Sequence, residues 1–144
     1  MTENIMDEQM LFSYTIPGKP VPSKLKCNKI GRIFNARKAY ITGYRFHLKS
    51  LYQQKPFRGE VRVSYFFGFP IPKSWPKQKK EEAEQGGMPY PFRPDYDNLE
   101  KTYNDIIKGI VIADDDQIIK ASAKKEYTTE PRTDITIYYA QEKL

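Results

Sequence analysis

The chain is expected to fold as one α+β (mixed α/β) domain: a small mixed sheet with helices packed on one side. Three observations predict it. The 144 residues amount to one domain's length. The spacing of apolar residues switches along the chain between a period of two and a helical period. The segments so defined run strand, helix, strand, insertion, helix, strand, strand, an order that suits a sheet with a helical layer. Strand order within the sheet is not legible. Hydrophobic residues make up 39% of the chain, enough for one modest core and too many for a disordered tail.

Residues 1–9 are polar and expected to be flexible. Residues 11–16 alternate, with Phe12, Tyr14 and Ile16 on one face, and read as a strand that Pro17, Gly18, Pro20 and Pro22 end. Residues 24–38 read as a basic loop. It carries Lys24, Lys26, Lys29, Arg32, Arg37 and Lys38 and no acid. From 39 to 54 the period becomes helical, with Ile41, Tyr44, Leu48, Leu51 and Tyr52 on one stripe. Pro56 and Gly59 close that segment. Residues 60–67 form the clearest strand, Val61, Val63, Tyr65 and Phe67 facing one way and Arg62, Ser64 and Phe66 the other.

Residues 70–92 make a charged insertion rich in Pro and Gly. Ser74 suits the cap of a short helix there, and Trp75 its anchor. A second helix is expected over 98–108, its buried stripe being Leu99, Tyr103, Ile106 and Ile110, with Gly109 as the stop signal. The apolar run 110–113 suits a short core strand, interrupted by Asp114, Asp115 and Asp116. Strands near 117–127 and 134–139 complete the chain, joined by a turn.

Composition narrows the chemistry. Lys and Arg number 24 against 18 Asp and Glu, and the net charge of +6 favours an anionic partner such as nucleic acid or a membrane surface. No apolar stretch approaches the roughly 18 residues that span a bilayer. The first ten residues lack the pattern of a signal peptide. Cys27 is the single cysteine and His47 the single histidine. Intramolecular disulfides, cysteine zinc sites and paired-histidine metal centres are therefore excluded, and a reducing cytoplasm fits. Hydrolytic chemistry would have to rest on oxygen ligands.

The informative segment is Arg93-Pro94-Asp95-Tyr96-Asp97-Asn98-Leu99-Glu100-Lys101. Pro94 biases Arg93 toward an extended conformation. If the chain stays extended through Asp97, the period of two puts Asp95 and Asp97 on one face. Lys101 follows Asp97 by one helical turn. A second acidic cluster, Asp114 to Asp116, comes after the helix. Cleaving a phosphodiester requires stabilising negative charge on phosphorus, attacking water and leaving oxygen, which magnesium does from carboxylate-rich oxygen sites. Uncompensated carboxylates would repel one another. A structural reading stands beside the metal reading. Asp97 and Glu100 have capping-box spacing, and Asp114 to Asp116 could be a solvated turn.

Other acidic chemistries fail on detail. A calcium loop begun at Asp95 would place Leu99, Glu100 and Ile106 where an oxygen ligand, a glycine and a glutamate belong. The chain is short for a nucleotide-sugar transferase, and it has no phosphate-binding glycine loop and no Gly-x-Ser-x-Gly.

The run from Arg93 to Lys101, followed by Ala113-Asp114-Asp115-Asp116-Gln117-Ile118, resembles the RusA family of Holliday junction resolvases. Pro17-Gly18-Lys19-Pro20 and Pro72-Lys73-Ser74-Trp75 also look like its phage-type members. The resemblance implies a RusA-like fold and a homodimeric, Mg²⁺-dependent endonuclease, with Mn²⁺ as a substitute and no organic cofactor. Such enzymes cut four-way or other branched DNA by paired nicks, in recombination and repair. Carried over by position, Asp95, Asp97 and Asp115 are the metal-binding carboxylates and Lys101 the catalytic lysine. Asp116 departs from the family pattern and leaves open whether Asp114 or Asp116 shares the third role. Tyr96 replaces an aliphatic and is expected to pack. A bacterial cytoplasmic location and a phage or prophage origin are implied, with no membrane partner.

Phosphate contacts are expected from Lys24, Lys26, Lys29, Arg32, Arg37, Lys38 and Arg93, with Lys77, Lys79, Lys80, Lys124 and Lys125 as further surface charge. The 11 tyrosines are expected mainly in packing, because Tyr14, Tyr44, Tyr65 and Tyr103 fall on apolar stripes. The rival function is a non-catalytic phage or prophage DNA-binding protein, in which the aspartates are caps and turns.

Overall fold

The computed structural model describes the backbone of residues 6–23 and 30–142, and the side chains of residues 8–23 and 36–140. In chain order the elements are β1 (Met6–Pro17), α1 (Ile30–Leu51), β2 (Val61–Pro70), α2 (Lys77–Glu84), α3 (Tyr96–Ile107), a 3₁₀ turn (Asp115–Gln117), β3 (Ile118–Thr128) and β4 (Arg132–Glu142). The strands form one sheet in the order β1-β4-β2-β3. β4 runs antiparallel to both β1 and β2, while β2 and β3 are parallel. The sheet is therefore mixed, and the fold is the expected α+β.

Registry explains the core. Ile135 of β4 lies opposite Tyr14 on one side and Tyr65 on the other, and Ile137 lies opposite Val63. These side chains, with Ile16, Val61 and Phe67, are buried and form one face of the sheet. Leu48 and Tyr52 of α1 and Leu99, Tyr103, Ile106 and Ile107 of α3 close over that face. Each fully buried side chain of this kind contributes about 1.5–3 kcal/mol. The opposite face stays partly open. Arg62 there stacks over Tyr138 at 4.4 Å and pairs with Glu8, and Arg132 lies over Phe66 at 4.8 Å.

Helix α3 is the element that matters for function, and α1 fixes it from outside. The Tyr40 and Tyr103 hydroxyls meet at 2.9 Å. The Arg37 guanidinium pairs with Asp105 at 3.2 Å. Arg45 donates to the Asp105 carbonyl at 2.8 Å and the Lys108 carbonyl at 2.5 Å, a cation placed on the carbonyls that end a helix. Gly109, at φ +79°, takes the left-handed conformation that turns the chain away, as its stop role requires.

Several expectations change. Of the segment expected to be flexible, residues 1–5 lie outside the described residues, and β1 begins at Met6, which pairs with Glu142. α1 begins at Ile30, so much of the segment read as a basic loop is helical. Leu51, placed on the buried stripe of α1, is 52% exposed because the helix ends at that residue. Residues 110–113 are not a strand. Ile110, Val111 and Ile112 are buried, but in turns tied to Phe57 by Phe57 N–H to the Val111 carbonyl at 2.8 Å and Ala113 N–H to the Phe57 carbonyl at 3.0 Å. No helix among the described residues is long and apolar enough to cross a membrane.

Candidate active site

The extended run expected through Asp97 stops earlier. Asp95 is the extended N-cap residue of α3, which begins at Tyr96, so Asp97 lies inside the first helical turn. Neither aspartate does the work of a cap. The Asp95 side chain makes no capping hydrogen bond, and Asp97 accepts only from the neighbouring Asn98 N–H, at 3.0 Å. The apolar stripe of α3 faces the core, which leaves Asp97 and Lys101 on its exposed side.

Asp95, Asp97, Asn98 and Lys101 line one concavity of about 210 Å³ together with Ser23. Ser23 had no sequence signal. It is pinned there by its N–H, which donates to the Asn98 carbonyl at 3.0 Å, and by its hydroxyl on the Asn98 side-chain oxygen. The asparagine of the motif thus ties the loop after β1 to the first turn of α3. Among the described residues, Asp95, Asp97 and Lys101 form no ion pair.

Two further charged residues belong to this region. Glu100 is half-buried behind Asp97; burial raises its pKa, and the Asp97 charge raises it further. Lys125 of β3 donates from its ammonium to the Phe92 carbonyl and lies 5.5 Å from the Tyr90 ring. Burial lowers its pKa, and Asp95 opposes that shift. Lys125 thereby clamps the segment that leads into Asp95. Backbone bonds from Tyr90 N–H to the Lys125 carbonyl at 2.8 Å and from Tyr127 N–H to the Met88 carbonyl at 3.0 Å extend the clamp. The Lys124-Lys125 pair was visible as surface charge, but only the parallel placement of β3 beside β2 brings Lys125 to this position.

The second acidic cluster is built differently. Asp114 is a true cap. Its carboxylate accepts from the Asp115 N–H at 2.7 Å, and the Gln117 side chain accepts from the Asp114 N–H at 2.7 Å. The cluster forms a 3₁₀ turn, as the structural reading allowed. Lys108 lies 3.6 Å from Asp114 and 3.9 Å from Asp115. Hydrogen bonding with Asp115 lowers the pKa of Asp114, while that of Asp115 is raised by Asp114 and by burial. Asp115 and Glu100 both act on the buried Tyr65 hydroxyl, whose pKa is raised first by its burial and then by these two charges.

A divalent cation suits the first concavity by the chemistry of its donors. Two exposed carboxylates stand there without a cationic partner among the described residues, and an open oxygen site is what a hard cation takes. Among the described residues no three Asp, Glu, His or Cys side chains group closely enough to hold a metal alone. Mg²⁺ does not require that. It keeps several waters and binds through one or two carboxylates plus substrate phosphates.

Of the residues expected to contact phosphate, Lys38 and Arg93 are exposed. Arg37 is occupied by Asp105. Lys24, Lys26 and Lys29 lie outside the described residues, as does the side chain of Arg32. Tyr96 departs from expectation: it is 58% exposed rather than packed, because the first turn of α3 projects beyond the core.

Comparison with known proteins agrees in kind. The family model described as "Endodeoxyribonuclease RusA" matches residues 17–138. An uncharacterized protein of Bacillus subtilis strain 168, YqaN, is 28% identical over 134 residues, spanning 88% of this chain and 94% of that protein.

Proposed function

Because the chain belongs to the RusA family of endodeoxyribonucleases, we propose that it is a magnesium-dependent, structure-selective endonuclease that resolves four-way DNA junctions by paired nicks. Recombination and repair are the processes such an activity serves. The observation that best supports the reading is the concavity shared by Asp95, Asp97 and Lys101, with neither carboxylate used as a cap.

Asp95 and Asp97 would hold the divalent cation, with the scissile phosphate completing its oxygen shell. Such a cation neutralises developing phosphoryl charge and makes water a competent nucleophile near neutral pH. Lys101, on the same wall, stabilises charge on the leaving oxygen; a positioned donor aimed at charge that develops in the transition state is the strongest device a site has. Asn98 and Ser23 hold that wall in place. Asp115 is proposed as the third carboxylate from its place in the family motif alone; among the described residues Asp95, Asp97 and Asp115 do not group as a metal site. Arg93, two residues before Asp95, and Lys38 are proposed phosphate contacts, joined by the basic residues before α1. A homodimer suits the reaction, since a two-fold junction presents two equivalent strands.

Asp97→Asn tests the assignment. Asn98 N–H keeps an oxygen acceptor, so stability should change by less than about 0.5 kcal/mol. The charge that holds the cation is gone, so junction cleavage should fall below detection. A folded Asp97→Asn protein that still cleaves would remove Asp97 from the site.

A further inference from the structure

Of the six large apolar side chains most exposed among the described residues, two stand on either side of Asp95: Phe92, 60% exposed, and Tyr96, 58% exposed. Both arise from rigid surroundings. The Phe92 carbonyl is held by Lys125, and its ring packs edge-on against Tyr90 at 5.6 Å. Tyr90 in turn stacks on the buried Phe69 at 4.0 Å and meets Tyr127 at 5.1 Å. The exposed Phe92 ring is therefore the outer end of an aromatic column rooted in the core. Tyr96 opens α3, one residue from the Asp95 carboxylate. Arg93, between them in the chain, is exposed as well.

We propose that Phe92 and Tyr96 form a stacking site for unpaired or unstacked nucleobases at the branch point of the DNA. The proposal rests on the reading that this site cuts branched DNA. Two rings exposed on either side of an arginine suit a base and its phosphate together. A continuous duplex buries its base faces in the stack and offers nothing to such rings. A branch point breaks the stack and frees those faces. The pair would give the site a preference for junctions that a positive surface alone does not give, because phosphate contacts read charge and not branching. It would also hold the strand beside Asp95, where the scissile phosphate must lie.

The test is equilibrium binding of a labelled four-way junction and of linear duplex, in EDTA so that no cleavage occurs, over a series of salt concentrations. Phe92→Ala and Tyr96→Leu should each weaken junction binding about tenfold while leaving duplex affinity unchanged. The slope of log affinity against log salt should not change, because an uncharged ring releases no counterions. Tyr96→Phe should bind as the wild type does. Phe46→Ala, which removes a 79% exposed ring from α1, should have no effect. Equal loss on junction and duplex, a shallower salt slope, an equal loss in Phe46→Ala, or no loss in Phe92→Ala and Tyr96→Leu would overturn the stacking site. Wild-type protein that binds junction no tighter than duplex would overturn the branched-DNA reading itself, a separate outcome.

Discussion

Glu100 sits where a residue of this type is least comfortable, half-buried and beside the Asp97 carboxylate. Both influences raise its pKa in the folded chain above the unfolded value. The folded state then holds the proton to higher pH, so the stability linked to it is present at low pH and is lost as pH rises through the raised value. Glu100→Gln should therefore raise Tm at pH 7 in EDTA, with the gain vanishing as pH falls below the ordinary glutamate range, where Glu100 is protonated in the folded and unfolded chains alike. Thermal melts across that range check it, and equal melting at pH 7 would count against the electrostatic account. Some of the residue-scale detail was legible in the sequence. The spacing of Asp95, Asp97 and Lys101 did predict that they could converge, and they line one concavity. Glu100 was visible only as a candidate capping partner. Ser23 carries no local signal, since its role depends on a contact with Asn98, 75 positions away.

At the scale of elements, α3 is the platform and β3 the brace. The stripe of α3 is legible because Leu99, Tyr103 and Ile106 recur at helical spacing, and all three are buried. The start of α3 was less so: an extended Asp97 and a helical Asp97 fit the same sequence, and the helix wins with Asp95 as its extended N-cap residue. The brace was not legible at all, because Lys125 reaches the Phe92 carbonyl only when β3 lies parallel to β2. Lys125→Met removes that bond and leaves the core untouched. It should lower cleavage on the order of ten- to a hundredfold by letting Asp95 shift, while junction affinity and fold are kept. Single-turnover rates set beside binding constants make the distinction. A loss confined to affinity would make Lys125 a DNA contact instead of a positioning residue.

Across the whole molecule, the local periods gave the elements and their approximate order along the chain, and the sheet proves mixed as expected. Strand order stayed closed to sequence reasoning because it is set by long-range pairing, such as Tyr14 with Ile135. The apolar run 110–113 misled for a related reason. Burial alone does not distinguish a strand from buried turns, and here Ile112 makes isolated bridges to Phe57 and Lys108 rather than pairing with a neighbouring strand. The charge of +6 is legible as affinity for an anion but not as a shape preference. If two active sites act on one junction, the protein should be a dimer. Light scattering at micromolar concentration should then give twice the 16.9 kDa of one chain, and a monomer that still makes paired nicks would contradict that arrangement.

The proposed oxygen-ligand site at the start of α3 would cut branched DNA. It is tested most directly by incubating the protein with a labelled four-way junction and with linear duplex of the same sequence, first with Mg²⁺ and then with EDTA. Paired, symmetric nicks are expected near the branch in Mg²⁺, with none in EDTA and none in the duplex. Junction binding without cleavage under any divalent metal would contradict this activity, and would return Asp95, Asp97 and Asp115 to structural roles in a DNA-binding protein.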